Sequence, residues 1–243
     1  MSTKPSYKIK ICGLTRREDL ELVARMGADY GGLLIEVEQS HRSQSREQAR
    51  RLRENAPLSL VMVTLNQSVE ENIRLAEMLS PAALQLHGVE TPENVAEIKQ
   101  RVSCEIWKAL HLPARESDET PDLQTLAATA KAYVDAGTDR FLVDASMTIK
   151  GQRQFGGTGK TVDWQTVRRL RERLDRPFFL AGGINPQNVV EALSVAHPFG
   201  VDLSSGVETV KGIKDPEKVL TLITRVREWE DREAGGLTSN RVC

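Results

Sequence analysis

The stretch that decides the fold is FFLAGGINPQNV, residues 178–189, which predicts a strand, a glycine turn and the start of a helix. Its apolar, uncharged beginning is typical of a strand that is buried on both faces of a parallel sheet. Gly182 and Gly183 let the backbone approach a ligand closely, because no Cβ stands in the way. Asn185 and Pro186 suit the N-cap and first position of a helix, and such a helix start behind glycines favours an anion.

A second glycine turn, VDLSSGVE, follows about one βα unit later, at residues 201–208. In (β/α)8 barrels the loops after the seventh and eighth strands frequently hold a phosphate group. The two turns therefore predict a phosphate site, provided that they follow those two strands.

The rest of the chain predicts eight alternating strand–helix units. Alternation implies a parallel sheet, and eight units imply closure, so the predicted fold class is α/β, a (β/α)8 TIM barrel. We expect one domain over residues 1–232 and a disordered tail over 233–243, which lacks periodicity. The predicted strands are 8–12, 30–37, 58–65, 82–86, 105–110, 140–144, 177–181 and 200–203, and the predicted helices are 19–26, 45–55, 68–79, 91–102, 122–136, 163–174, 186–195 and 215–231.

Two connections stand out from the short ones. The polar segment 111–121 predicts an exposed loop. The glycine-rich segment 151–159 also predicts a loop, and within it Gly156–Gly159 is interpreted as a mobile lid or substrate loop. A P-loop is excluded because the G-x-x-x-x-G-K-[ST] spacing is not met.

Composition excludes several classes of function. The chain has 243 residues and a net charge of −1, which argues against nucleic acid as a partner. No apolar run approaches the roughly 20 residues that cross a bilayer, and the N-terminus lacks a signal-peptide core, so we expect no membrane partner and a cytoplasmic protein. The cysteines and histidines are scattered, which predicts neither a disulfide framework nor a metal site: Cys12, Cys104, Cys243, His41, His87, His111 and His197.

Two residues at predicted strand ends carry candidate chemistry, because the carboxyl ends of barrel strands face the active site. Cys12 ends the first strand and is either a small buried hydrophobe or a proton-transfer base whose pKa nearby cations lower. Asp144 ends the sixth strand and is either a cap for the next loop or a general acid. Together they could supply a base and an acid to one substrate.

Five short stretches carry a resemblance to a known family: KICGLT at 10–15, QLHG at 85–88, FGGTGK at 155–160, LAGG at 180–183 and VDLSSGVE at 201–208. In this order they resemble the signature stretches of the phosphoribosylanthranilate isomerases, over about residues 8–226. The resemblance implies a (β/α)8 barrel of tryptophan biosynthesis, an intramolecular oxidoreductase of the aldose–ketose type that needs no cofactor.

The resemblance implies an Amadori rearrangement of N-(5-phosphoribosyl)anthranilate to the corresponding 1-deoxyribulose phosphate. Asp144 matches the general acid that protonates the furanose oxygen and opens the ring to a Schiff base. Cys12 matches the general base that removes the C2 proton and gives an enolamine, which tautomerises to the ketone.

The resemblance also implies a set of substrate contacts. Asp202 is expected to orient the substrate, and His87 either contacts it or supports a neighbour by a hydrogen bond. The phosphate is expected on backbone N–H groups of four residues: Gly182, Gly183, Ser205 and Gly206.

The anthranilate end departs from the family pattern. Relatives usually have Ser-Pro-Arg after the second strand, where this chain has Ser-His-Arg at 40–42, so Arg42 keeps the guanidinium that pairs with a carboxylate. Glu36 and Glu38 would repel an anthranilate if they pointed inward. Met62 and Thr64 replace the usual glycine and aromatic, and a methionine near the barrel centre would reshape the aglycone pocket.

Three functions compete. The first is the isomerase on its usual small phosphosugar, as a monomer or homodimer. The second is a related aldose–ketose isomerase with a different aglycone, which would ordinarily use an aspartate in place of Cys12. The third is a non-catalytic barrel that binds a phosphometabolite, which the presence of both Cys12 and Asp144 argues against.

Overall fold

The computed structural model describes residues 6–149, 152–155 and 160–239 of the chain, and side chains for 6–146 and 160–234. In this part of the chain, eight strands form the barrel: β1 Lys8–Cys12, β2 Tyr30–Ile35, β4 Ser59–Thr64, β5 Ala83–Leu86, β6 Glu105–Pro113, β7 Arg140–Ile149, β9 Phe178–Leu180 and β10 Gly200–Leu203. They are parallel to one another and pair in the order β1-β10-β9-β7-β6-β5-β4-β2, with β2 pairing back to β1. The predicted TIM barrel is therefore confirmed.

Four further strands are short: β3 Ser43–Gln44, β8 Gln152–Phe155, β11 Glu208–Val210 and β12 Ile213–Lys214. Helices connect the barrel strands, and several begin at a residue whose side chain accepts a backbone N–H bond, such as Ser45 and Thr91. Such caps satisfy donors that the first turn leaves open. The helices are α1 Arg17–Met26, α2 Arg46–Arg53, α3 Val69–Leu79, α4 Pro92–Arg101, α5 Leu123–Asp135, α6 Trp164–Arg171, α7 Val189–Ala196 and α8 Pro216–Ser239.

The strands place alternate side chains inside and outside the barrel, as the two-residue strand period requires. Inside, Trp107 stacks on Phe179 with ring centroids 4.8 Å apart. These rings belong to an inner cluster of Val61, Ala83, Trp107, Ala109, Leu142, Phe179 and Ala181. A larger outer cluster joins the strands to the helices and contains Met62. The expectation that Met62 lies near the barrel centre is therefore wrong, because Val61 takes the inward position.

The structure differs from the sequence prediction at three connections. Strand β6 continues to Pro113, because residues 111–113 pair with residues 144–146 of β7. The predicted exposed loop 111–121 therefore begins in the sheet, and Leu112 is buried. Strands β7 and β8 form an antiparallel hairpin over part of the predicted glycine-rich loop, and the proposed lid at 156–159 lies outside the described residues.

The start of helix α7 and the end of helix α8 also differ from the sequence prediction. Helix α7 begins at Val189, three residues after the predicted start, because the Asn185 carboxamide accepts the N–H groups of Gln187 and Asn188 in a turn that precedes the helix. Helix α8 continues to Ser239 instead of ending near Asp231, and the rest of the predicted tail, 240–243, lies outside the described residues. No helix in the described ranges is long and apolar enough to span a bilayer.

Candidate active site

A buried ion pair lies inside the barrel, below the thiol of Cys12. Lys10 precedes Cys12 by two residues on β1, so both side chains point into the barrel. The Lys10 Nζ lies 2.8 Å from Asp202 Oδ2, and Lys10 is fully buried. Burial lowers the pKa of Lys10, but Asp202 and the Cys12 thiol raise it by more, so the ammonium stays charged. Oδ1 of Asp202 is buried and accepts no hydrogen bond from the described residues, which leaves it available to a ligand hydroxyl.

Sequence analysis missed Lys10, although the alternation Lys-Ile-Lys-Ile-Cys places it on the same face as Cys12. A lysine at an inward position of a buried strand needs a carboxylate partner, and this signal would have been enough to single it out.

The thiol of Cys12 is itself buried. Burial raises the pKa of Cys12 above its ordinary value, although Lys10 lowers it, so the thiol is protonated in the ligand-free site. The sequence-based expectation that nearby cations lower this pKa is not met here, because desolvation outweighs them. Gly32 on the neighbouring strand makes room for the sulfur, since a Cβ there would lie 2.7 Å from Sγ.

Asp144 lies in a hydrogen-bonded network that reaches across three neighbouring strands. The His87 Nε2 lies 3.4 Å from Asp144 Oδ2, and Oδ1 accepts the Ala145 N–H at 2.8 Å. The Gln85 amide nitrogen lies 3.1 Å from His87 Nδ1. When that amide donates, the imidazole proton is on Nε2 and faces Asp144. The structure thus brings His87 directly against the candidate acid.

The charge state of Asp144 follows from these contacts. Burial raises the pKa of Asp144, but its contacts with His87, His111 and the Ala145 N–H together lower it by more, so the net shift is below its ordinary value. Burial also lowers the pKa of His111 to about 3, with His87 adding to the shift. The ligand-free site therefore holds an ionised Asp144 beside a neutral His111.

His87, His111 and Asp144 have ligand atoms within 4.8 Å of one another, and their types suit a metal ion. Several of their polar atoms already have partners, however. His111 Nε2 lies 2.9 Å from the carbonyl of His87, and His87 and Asp144 are bonded as described above. We interpret the cluster as a hydrogen-bond network around Asp144, the candidate acid. Sequence analysis had dismissed His111 as scattered, because the extension of β6 that positions it was not predicted.

The two glycine turns meet at the same end of the barrel. Gly182 and Gly183 have φ angles of 80° and 60°, the left-handed region that glycine adopts without strain. A Cβ on Gly206 would lie 2.0 Å from the carbonyl oxygen of Ile184, so the loop after β10 packs directly against the loop after β9. Ser205 begins the 3-10 turn Ser205–Val207. The predicted phosphate-binding residues are therefore adjacent, and close packing also accounts for their glycines.

Arg42 is tied to a residue that sequence analysis did not single out. Its Nε and Nη2 donate to the two carboxylate oxygens of Glu208 at 2.8 and 2.7 Å. Glu208 also accepts from Lys214 at 2.8 Å, and Lys214 donates to the carbonyl of Cys12 at 2.7 Å. Glu36 instead pairs with Arg46 on the outer surface. The repulsion of an anthranilate that was expected from an inward-pointing Glu36 therefore does not arise.

The chain is similar to one protein family in both sequence and structure. The sequence model of the N-(5'-phosphoribosyl)anthranilate (PRA) isomerase family matches residues 9–225. The N-(5'-phosphoribosyl)anthranilate isomerase of Methanothrix thermoacetophila is 37% identical over 92% of this chain and 99% of its own. The tryptophan biosynthesis protein TrpCF of Haemophilus influenzae is 38% identical, over 89% of this chain and 42% of its own length.

Solved structures give the same result. Phosphoribosyl anthranilate isomerase from Thermotoga maritima is 30% identical, with a TM-score of 0.76, over 92% of this chain and 100% of that chain. A phosphoribosyl anthranilate isomerase in complex with reduced 1-(o-carboxyphenylamino)-1-deoxyribulose 5-phosphate is 29% identical, with a TM-score of 0.74, over 92% of this chain and 100% of that chain.

Proposed function

Because the chain belongs to the N-(5'-phosphoribosyl)anthranilate isomerase family, we propose that it catalyses the Amadori rearrangement of N-(5-phosphoribosyl)anthranilate to 1-(2-carboxyphenylamino)-1-deoxyribulose 5-phosphate in tryptophan biosynthesis. The main support for this proposal lies at the mouth of the barrel. There the buried thiol of Cys12 and the buried carboxyl of Asp144 each have polar partners of their own. The binding partner of the protein is its substrate, a small phosphosugar. We propose further that the protein acts in the cytoplasm as a monomer or homodimer. Residues 1–232 are proposed to form one domain.

Asp144 supplies the first proton, to the furanose ring oxygen. The carboxyl must then be neutral, whereas the ligand-free site favours its ionised form. A bound substrate changes this balance in two ways, because it excludes water and brings the negative charges of a phosphate and a carboxylate. Both effects raise the pKa of a buried carboxyl. His87 is a positioning residue for this step, since its Nε2 faces Asp144 Oδ2.

Cys12 removes the proton from C2 of the open-chain Schiff base. Once the thiol has released its own proton to water, the thiolate Sγ accepts the C2 proton, the C2–H electron pair forms the C1–C2 double bond, and the C=N electrons move to nitrogen, which gives the enolamine. Burial raises the pKa of this thiol, and Lys10 on the same face of β1 partly offsets that rise and so favours the thiolate. A thiolate beside a fixed cation is a competent base near neutral pH.

The remaining predicted residues bind the two ends of the substrate. Asp202 Oδ1, which is buried and accepts no hydrogen bond from the described residues, accepts a sugar hydroxyl. Arg42 binds the anthranilate carboxylate. The phosphate binds to the N–H groups of the two adjacent turns, at Gly182, Gly183, Ser205 and Gly206.

Two further functions remain as alternatives, an aldose–ketose isomerase with another aglycone and a non-catalytic phosphometabolite-binding barrel. Two sequence changes that favoured another aglycone do so less in the structure. Glu36 pairs outward with Arg46, and Met62 lies in the outer core. The thiol and carboxyl at the barrel mouth argue against a purely binding role.

The proposal is tested with phosphoribosylanthranilate generated in situ, by following the loss of its fluorescence. Rapid loss is expected with the wild type, and Cys12→Ala and Asp144→Asn should each lower kcat by about 10²–10⁴-fold, the usual contribution of a general acid or base. Cys104→Ala is the matched control, since Cys104 is the other described cysteine and should leave the rate unchanged. No loss with the folded wild type would overturn the proposed substrate, and an active Cys12→Ala would overturn the base.

A further inference from the structure

Glu208 is a carboxylate with three donors from two cations. It begins β11, directly after the 3-10 turn, and is buried. Two of its bonds come from Arg42 and one from Lys214. The hydrogen bonds and charges of these two cations outweigh burial and lower the pKa of Glu208 to about 2. The carboxylate is thus ionised at any pH at which the protein would be assayed.

The cluster of Arg42, Glu208 and Lys214 holds one carboxylate between two basic side chains, and burial lowers the pKa of Lys214 although Glu208 opposes that shift. Arg42 is nearly buried, with 12% of its side chain exposed, and Lys214 is fully buried. Lys214 completes its bonds with the backbone carbonyls of Cys12 and Ser204. Arg42 is therefore the basic side chain of this cluster that a ligand can still contact. A largely buried guanidinium that shares its carboxylate partner with a second basic group favours an added anion.

The way in which Glu208 holds Arg42 determines what the guanidinium can still bind. A guanidinium has two edges, each of which can donate two hydrogen bonds to one carboxylate. One edge is formed by Nε and Nη2 and the other by Nη1 and Nη2. Glu208 occupies the first edge. No acceptor among the described residues bonds to Nη1. The second edge is thus left for a ligand, in a fixed orientation.

The position of Arg42 relates this edge to the reacting atoms. A Cβ on Gly13 would lie 2.3 Å from Cδ of Arg42 and 2.9 Å from Oγ of Ser204. The arginine stem therefore crosses directly over the residue that follows Cys12. A carboxylate on the open edge would lie beside the mouth of the barrel, next to the candidate base.

We propose that Glu208 is a positioning residue that selects substrates whose aglycone carries a carboxylate, by holding one edge of Arg42 and presenting the other to the ligand. The inference rests on the proposed function, because it assigns the binding of the anthranilate end of that substrate. Glu208 itself does not touch the substrate. Its effect passes through Arg42, so the two residues must act as one unit.

The test compares Glu208→Gln with the wild type. A glutamine offers one acceptor and places an NH2 group against the donors of Arg42, so the guanidinium loses its bidentate hold. KM for phosphoribosylanthranilate is expected to rise about tenfold or more, one bidentate charged contact being of that order, while kcat falls less than threefold. The inhibition constant of inorganic phosphate should stay within twofold, because the phosphate turns do not involve Glu208. Glu36→Gln is the matched control, since it breaks a carboxylate–arginine pair on the outer surface and should leave KM unchanged.

Two further measurements separate positioning from folding and from the proposed reaction. In the double variant Arg42→Ala/Glu208→Gln, KM should equal that of Arg42→Ala alone, because no guanidinium remains for residue 208 to orient. Should Glu208→Gln fail to fold, Arg42→Lys tests the same edge, since a lysine keeps the charge but offers no planar fork, and its KM should also rise about tenfold. A wild-type KM in folded Glu208→Gln or in Arg42→Lys would overturn the inference, as would a full additional loss in the double variant.

Binding of anthranilate and of aniline distinguishes this inference from the proposed function. The folded wild type should bind anthranilate at least tenfold more tightly than aniline, and Glu208→Gln should lose that preference, whether or not the wild type isomerises phosphoribosylanthranilate. Failure of the isomerase assay with the preference intact would overturn the function alone. Equal binding of both compounds by the wild type would overturn the role of Glu208.

Discussion

Replacing Lys10 by methionine is the sharpest test of the buried charges under the thiol. The substitution keeps the length of the side chain and removes its charge. Asp202 would then keep a buried carboxylate with no counterion, since Lys10 is its bonded cation at 2.8 Å and both residues are buried. We expect a large loss of folding stability from a change that leaves packing nearly intact.

The magnitude follows from the geometry. At a separation of 2.8 Å and an effective dielectric constant of ~20, the attraction between the two charges is ~6 kcal/mol. Desolvation of both ions offsets much of this, and removing one partner of a buried pair usually costs about 3–5 kcal/mol. The neighbouring pair of Lys8 and Asp29 has the same separation, but its side chains are 36% and 21% exposed. Lys8→Met on the same strand should therefore cost less than about 1 kcal/mol.

The loss should also depend on pH. Burial raises the pKa of Asp202 in the folded protein, and Lys10 opposes this shift, so Lys10→Met raises the pKa further. A carboxyl with a raised folded pKa binds its proton more tightly in the folded state. The penalty is therefore absent below the unfolded pKa and fully developed above the folded one. Lys10→Met should be destabilised more at pH 8 than at pH 5.

The assay is urea unfolding at both pH values, followed by tryptophan fluorescence and circular dichroism. Coincident transitions justify a free energy of unfolding for a chain of this size. Adding Asp202→Asn to Lys10→Met removes the stranded anion and should recover more than half of the loss. The reasoning is refuted if Lys10→Met costs no more than Lys8→Met at pH 8, or if its cost is the same at both pH values and is not relieved by Asp202→Asn.

Three other predictions concern the core, the acid and cofactor independence. Phe179→Ala should lower the free energy of unfolding by about 3–5 kcal/mol, because it opens a cavity beside the barrel's inner tryptophan, whereas Leu220→Ala at an exposed site of α8 should change it by less than about 0.5 kcal/mol. His87→Asn should raise the pKa of Asp144, because burial remains while the contact that lowers this pKa most is lost. In the pH profile of kcat/KM, the limb on which Asp144 loses its proton should therefore move to higher pH. Activity should be unchanged after dialysis against EDTA, and a loss that a divalent metal restores would contradict the cofactor-free reaction.

The fold was predictable because its signal is local. Alternating strand and helix patterns gave the eight units, and the rule that strand ends face the site singled out Cys12 and Asp144. The charge pairs were not predictable in the same way. Lys10 and Asp202 are 192 residues apart, and Arg42 and Glu208 are 166 apart. Local periodicity predicts which face a side chain takes, but not which residue of another strand lies opposite.

Two misjudged residues show where the local signal was present and where it was absent. Met62 could have been placed correctly, because the period of two in a strand puts Val61 and Met62 on opposite faces. His111 could not, because its segment is polar and becomes strand only through pairing with the extended β7. The first error concerns parity within one strand, and the second depends on contacts made after folding.

The order of the two proposed proton transfers follows from the charges at the barrel mouth. The barrel mouth holds three basic side chains, Lys10, Arg42 and Lys214, and three carboxyl groups, Asp202, Glu208 and Asp144, so their charges largely balance. A phosphorylated, carboxylated substrate adds negative charge, which raises the pKa of Asp144 and prepares it as an acid. The same charge keeps the Cys12 thiol protonated at that stage. Ring opening then creates a positive iminium group at C1, which acidifies the proton on the adjacent C2 and lowers the pKa of the thiol, so that the thiol releases its own proton to water and becomes the base. The substrate's own change of charge therefore makes the acid act before the base.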